Sequence, residues 1–142
     1  MIVSEAFGGA PDASALSSYS LARDGTVSPI TASLGTTETA ACWVVVTPNG
    51  RYTYTTNTGS NSISGYRIGP NGSLTLLDAD GKTADTGPGP LDLSLAKRGR
   101  LLYPVNSGVP EVQGFVVAGD GSLESIGAVG GLPAGAVGLA AR

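Results

Sequence analysis

The chain contains one unit of sequence more than once. The segment NGRYTYTTNTGSNSISGYRIGPNGSL, Asn49 to Leu74, returns as RGRLLYPVNSGVPEVQGFVVAGDGSL, Arg98 to Leu123, so Asn57 and Asn106, Gly65 and Gly114, and Gly72 and Gly121 each stand 49 positions apart. A looser copy lies upstream, where Tyr19, Asp24 and Gly25 echo Tyr66, Asn71 and Gly72 at a spacing of 47. A unit of this length cannot bury its apolar side alone. Copies of it must stack, as they do in propellers and solenoids.

Within each unit, short apolar runs bounded by Gly, Pro, Asn and Asp recur about every ten residues, with no helical period, which is the pattern of an all-β sandwich, barrel or propeller. The second unit predicts four strands: Ala41 to Val46, Arg51 to Asn57, Ser62 to Ile68 and Leu74 to Asp78. The third predicts four more near Pro90 to Leu95, Leu101 to Asn106, Glu111 to Val117 and Leu123 to Val129. Thr47-Pro48-Asn49-Gly50 and Gly69-Pro70-Asn71-Gly72 supply the turn chemistry: proline fixes one φ, and Asn-Gly tolerates a positive one. Upstream only three strands are expected, Ile2 to Ala6, Ala15 to Leu21 and Val27 to Ala32; downstream, Gly135 to Ala141 parallels the first strand of a unit.

The expected architecture is therefore an all-β partial propeller of about three four-stranded antiparallel blades. It divides as an incomplete blade (1–39), two blades (40–88 and 89–134) and a closing inner strand (135–142). Asp78-Ala79-Asp80-Gly81 faintly resembles a calcium loop but lacks the later bidentate glutamate, so it is expected to be a turn connecting blades. The stretch Gly127 to Gly138 is expected to be a connection of the same kind.

Several function classes are disfavoured. The net charge is −3 with no basic run, so the electrostatic footprint of nucleic-acid binding is missing. No segment reads as a membrane span and the N-terminus carries no leader pattern, which leaves the compartment open. The single cysteine, Cys42, lies in the apolar run Ala40 to Val46 and is expected to be a buried structural thiol. There is no histidine, so neither a Ser-His-Asp nor a Cys-His nucleophile system can be assembled, and His-based zinc ligation is unavailable. No metal and no cofactor is expected. Proton transfer must fall to carboxylates, Lys, Tyr or water assisted by Arg.

Thr53-Tyr54-Thr55-Thr56-Asn57 and Leu102-Tyr103-Pro104-Val105-Asn106 stand where the lactonase family of β-propellers with YVTN-type repeats has its Tyr-Val-Thr-Asn signature. Pro48-Asn49-Gly50-Arg51-Tyr52 is similar to its Pro-Asp-Gly-Arg turn, and Gly72-Ser73-Leu74 and Gly121-Ser122-Leu123 are similar to its Asp-Gly-Ser-Leu hairpin. The chain thus resembles the seven-bladed phosphogluconolactonase-like proteins and the carboxymuconate lactonising enzymes, but has the length of about three blades only. The resemblance implies hydrolysis of a sugar lactone or related cyclic ester at the axial mouth, with water polarised by carboxylates and arginine and without a cofactor. The carboxymuconate branch uses a histidine, which no position here supplies.

In a propeller the loops between second and third strands share a rim with the connections between blades, and that rim is the ligand-binding mouth. The repeat register puts Glu5, Asn57 and Asn106 there at equivalent second-strand ends. Glu5 is the odd one, a carboxylate where the other units carry an amide, and is the candidate catalytic base; the competing reading is a solvated loop acid. Candidate substrate-binding residues are Glu38, Trp43, Asn57, Asp92 and Asn106. Trp43 and Asp92 share one repeat position on innermost strands, where an indole would stack on a sugar ring and a carboxylate would take a hydroxyl; packing between blades and capping of backbone are the competing roles. Arg51 and Arg100 fall on the opposite rim. The expected partners are a small sugar-lactone ligand and either a second copy of the chain or the missing blades of a longer parent. The alternative function is a non-catalytic scaffold that binds protein or carbohydrate or self-associates.

Overall fold

The computed structural model covers residues 1–142 and is built from antiparallel strands with two single 3-10 turns. In chain order the strands are β1 (Ile2–Glu5), β2 (Ala15–Leu21), β3 (Val27–Gly35), β4 (Ala41–Val46), β5 (Tyr52–Asn57), β6 (Ser62–Ile68), β7 (Leu74–Leu76), β8 (Ala84–Asp85), β9 (Pro90–Ala96), β10 (Leu101–Asn106), β11 (Glu111–Val117) and β12 (Leu123–Gly130). They form three sheets, β1-β2-β3, β4-β5-β6-β7 with β8 also on β6, and β9-β10-β11-β12. These are three blades of a partial propeller, blades 1, 2 and 3 below.

Each unit folds as a meander because its turns are locally determined. At the hairpin before the outermost strand, Thr26 N–H donates to Asp24 Oδ1 (2.9 Å), Ser73 N–H to Asn71 Oδ1 (3.1 Å) and Ser122 N–H to Asp120 Oδ1 (3.0 Å). The glycine between each pair, Gly25, Gly72 or Gly121, has φ of 87°, 88° or 96°, which a side chain would disfavour. One Asx-Gly-Ser/Thr turn thus closes the same hairpin in every blade.

The core lies between the sheets. Tyr52, Tyr54 and Ile63 of blade 2 meet Leu93, Leu102 and Phe115 of blade 3 in one buried cluster. Leu16 of blade 1 meets Tyr66 and Leu74 of blade 2 in a smaller one, with Ile2, Leu34, Val44 and Ile68 packed around it. Alternation along a strand sends successive residues to opposite neighbours. Tyr54 therefore faces forward to blade 3, while Tyr66 on the next strand faces back to blade 1. Hydroxyls stitch the same seams: Tyr52 Oη and Tyr54 Oη donate to the carbonyls of Gly119 (2.9 Å) and Gly121 (2.8 Å), and Thr56 Oγ1 to that of Leu91 (2.8 Å).

Four expectations need correction. Cys42 is exposed, because it sits in an irregularity of β4 between Ala41 and Val44, on an innermost strand whose axial side nothing covers. The outermost strand of blade 2 stops at Leu76 and resumes as β8, so residues 77–83 loop out of a strand, and Asp78 to Gly81 are an insertion within blade 2 rather than a connection between blades. In blade 3 the corresponding strand, β12, continues unbroken to Gly130, so residues 127–130 are strand. Residues 135–141 lie alongside β9 but form no backbone ladder; Leu139 N–H donates to Asp92 Oδ2 (2.7 Å) and Ala141 N–H to Ser94 Oγ (2.8 Å).

Candidate functional site

The loops between second and third strands do share a rim with the connections between blades. Thr58 and Gly59 N–H donate to the carbonyls of Ala40 and Thr39, and one repeat later Ser107 and Gly108 N–H donate to those of Gly89 and Pro88. At this rim each blade carries one polar pin. In blade 2, Asn57 Nδ2 donates to Ser62 Oγ (3.1 Å) and Ser64 Oγ (2.8 Å) on the third strand. In blade 3, Asn106 Nδ2 donates to Glu111 Oε1 (3.0 Å) and Gln113 Oε1 (3.4 Å). In blade 1, Glu5 occupies the position with its polarity reversed: Oε1 accepts from Ser17 Oγ and Oε2 from Ser33 Oγ (2.8 Å). The ladder pairs Glu5 with Ala15, Asn57 with Ser62 and Asn106 with Glu111, so the three positions are equivalent in space as well as in sequence.

Chemically the three pins differ. Asn57 and Asn106 are fully buried, and their amide nitrogens are committed to their own blades. The orientation of Asn57 is forced, since Ser62 Oγ spends its proton on Glu38 Oε2 and Ser64 Oγ spends its own on the carbonyl of Gly81 (2.5 Å), leaving both hydroxyls only able to accept. Asn57 Oδ1 and Asn106 Oδ1 are left without donors. Glu5 is half-buried and its second oxygen is shared with an exposed serine. Ser33 has φ of 48°, an uncommon conformation for a side-chain-bearing residue, and its N–H donates to Ser17 Oγ (2.8 Å). Backbone and hydroxyls together fix the carboxylate in place.

Glu38 is half-buried on the connection between blades 1 and 2 and reaches Asn57 through Ser62. A partner to it escaped the sequence reading. Position 87 corresponds to Glu38 after 49 residues and is glycine, and a Cβ there would fall 2.4 Å from Glu111 Oε1 and 2.6 Å from Asn106 Nδ2. Glu111, from the third strand, thus fills in blade 3 the place that Glu38 fills from the connection in blade 2. The signal was a Glu lost at 87 and a Glu gained where blade 2 has Ser62. Every blade therefore carries one carboxylate at this rim: Glu5, Glu38 or Glu111.

Trp43 and Asp92 occupy matching irregularities of β4 and β9. Trp43 is 51% exposed, its N–H donating to Thr56 Oγ1 (3.1 Å) and its carbonyl accepting from Thr55 Oγ1 (2.9 Å), so hydroxyls replace the interrupted ladder and the indole projects outward. Asp92 is 6% exposed and spends both oxygens on backbone, Oδ1 on Leu93 N–H (2.7 Å) and Oδ2 on Leu139 N–H. Arg51 lies on the opposite rim, its guanidinium 5.4 Å from the centre of the Tyr52 ring. The structure joins Glu38 to Asn57 and leaves Glu5, Trp43, Asp92 and Asn106 in separate hydrogen-bond groups. None of the molecule's clefts is lined by any of the six candidate residues.

Comparison with known proteins bears on the fold and the family. The model of the family described as "Lactonase, 7-bladed beta-propeller" matches residues 13–135. No curated protein sequence matches. Among solved structures, a functionally unknown protein from Desulfotomaculum acetoxidans is 20% identical with a TM-score of 0.73, over 85% of this chain and 37% of its own. The periplasmic gluconolactonase PpgL of Pseudomonas aeruginosa is 23% identical with a TM-score of 0.69, over 86% and 37%. A Bacteroides fragilis protein provisionally named a 6-phosphogluconolactonase is 16% identical with a TM-score of 0.72, over 93% and 39%. The chain spans well under half the length of each, and its likeness to them is one of fold. With its blades, its repeated signature and the match over 13–135, the chain belongs to the lactonase family of seven-bladed β-propellers.

Proposed function

We propose that this chain supplies the rim chemistry of a lactone hydrolase, with Glu5 as general base and a sugar-derived lactone as substrate. Family membership supports the reaction class, and the observation that carries the assignment to Glu5 is its carboxylate held between two serine hydroxyls, at the position where the other blades bury an asparagine. Glu5 takes a proton from water as the water oxygen bonds to the lactone carbonyl carbon. The ring C–O bond then breaks, and the departing alkoxide takes the proton back to give the hydroxy acid. A base fixed on both sides loses little orientational freedom when water docks, which is where such catalysis gains its rate. Trp43 offers the one exposed aromatic face on an innermost strand for a sugar ring, whereas Asn57, Asp92 and Asn106 hold the frame.

Glu5→Gln keeps the shape and removes the base. Its expected effect is a fall in kcat of roughly 10²-fold to 10⁴-fold with KM little changed, read in a lactone-opening assay on the purified chain. Equal rates for variant and parent would remove Glu5 from the mechanism. A second reading, a non-catalytic scaffold, is favoured by the burial of Asn57 and Asn106 and by the absence of a cleft at the candidate residues. Under that reading the parent chain itself opens no lactone, and Glu5→Gln changes only stability.

A further inference from the structure

The repeat register runs on to both ends of the stack. Blade 2 faces blade 3 with Tyr52, Tyr54, Ile63 and Leu77, all packed in the buried cluster of that seam. The residues 49 positions later are Leu101, Tyr103, Val112 and Ile126, on the outer face of blade 3, where Ile126 is 55% exposed. Blade 3 receives blade 2 with Phe115, Val117 and Leu123. Their counterparts in blade 1, two repeats upstream, are Tyr19, Leu21 and Val27, and Leu21 is 59% exposed. The two ends are thus the two halves of an interface that the molecule already makes internally.

Strand inventory points the same way by a separate route. β5 and β10 are each paired on both edges, whereas β1, their equivalent, pairs only with β2 and leaves its inner edge free. At the other end, residues 135–141 lie against β9, fastened by Asp92 and Ser94, and belong to no sheet. One end has a blade without its innermost strand. The other has an innermost strand without a blade. Free edges and bare apolar faces are both sites of association.

We propose that this chain associates head to tail with a second copy, residues 135–141 of each copy pairing with β1 of the other so that two three-bladed stacks close one ring. The ring falls within the roughly four to eight blades that propellers use. The contact is heterologous, and its repetition between two copies closes it rather than propagating a filament.

Light scattering on the 142-residue chain tests this, with an expected mass twice the 14.1 kDa of one copy. Leu21→Lys on one end and Ile126→Glu on the other lie on exposed positions and leave the blades intact. Each variant alone is expected to run at single-copy mass, and an equimolar mixture to return to double mass, because one interface is then unmodified and the other pairs Lys with Glu. A parent chain of single-copy mass up to about 100-fold the concentration of first detection overturns the proposal. So do variants that stay at double mass when alone, or a mixture that stays at single mass. The readout is mass alone, so its failure and the failure of lactone opening are distinguishable.

Discussion

The phenol of Tyr54 is buried and its proton goes to the carbonyl of Gly121 in the neighbouring blade. Tyr54→Phe leaves that carbonyl without its partner and is expected to cost about 1 kcal/mol, measured by urea unfolding at neutral pH. Burial pushes the phenols of both Tyr54 and Tyr66 well above their ordinary value, with Tyr52 and Asp120 adding to the rise at Tyr54 and Glu5 at Tyr66. The folded chain therefore holds these protons more tightly than the unfolded one. The contribution is fully present below the ordinary phenol value of about 10 and is lost as pH rises above it. Unfolding midpoints are expected to be level through neutral pH and to fall at alkaline pH, with Tyr54→Phe making the fall shallower. An equally steep fall in the variant would show that Tyr54 is not its source. At this scale the sequence announced Asn57 and Asn106 by their spacing but not their burial, because a side chain at a strand end reaches solvent or sheet according to what the neighbouring loop covers. Glu111 stayed hidden because the two changes that mark it, Glu38 to Gly87 and Ser62 to Glu111 across the repeat, lie far apart in the chain and are joined only by the fold, which brings position 87 against the Glu111 carboxylate.

Among elements, the loop at 77–83 is the clearest case of tertiary structure overriding a local reading. Asp78 Oδ2 accepts from Thr83 Oγ1 (2.7 Å), Asp80 Oδ1 from Lys82 N–H (3.2 Å), and the carbonyl of Asp80 from Thr37 Oγ1 (3.0 Å) on the connection from blade 1. Both carboxylates work as turn formers. Gly81 has φ of 77°, and a Cβ there would fall 1.7 Å from the carbonyl oxygen of Thr36. Gly81→Ala is expected to destabilise the chain by more than about 2 kcal/mol, since the left-handed conformation and the clash with backbone act together. Thermal unfolding checks this; a midpoint within a degree of the parent would mean that the loop can leave its seat at no cost. Local turn chemistry was legible in Asp78 to Gly81. Its place inside a strand was not, because β7 and β8 are joined only through their shared partner β6.

For the whole molecule, stability is distributed unevenly along the stack. The seam between blades 2 and 3 buries six large residues and the seam between blades 1 and 2 only three. In a stack whose blades touch only their neighbours, the weaker seam opens first. Amides of β2 are expected to exchange with deuterium before those of β5 and β10, and uniform protection across all three blades would contradict this. Phe115, 1% exposed at the centre of the larger seam, is the residue whose truncation should loosen both blades at once: Phe115→Ala is expected to cost roughly 3–5 kcal/mol by chemical denaturation. What the chain determined by sequence alone was the module: its turns, its strand order and its period, all set by residues within a few positions of one another. What tertiary structure decided was which side of each strand a neighbour would cover. That is why Cys42 and Trp43 lie open on an apolar strand while Asn57 and Asn106 lie sealed at the ends of β5, rich in threonine, and β10, itself apolar, and why Glu5 alone of the three pins keeps an oxygen near the surface. Periodicity is a property of one strand and its turns; burial belongs to the pair of faces that meet.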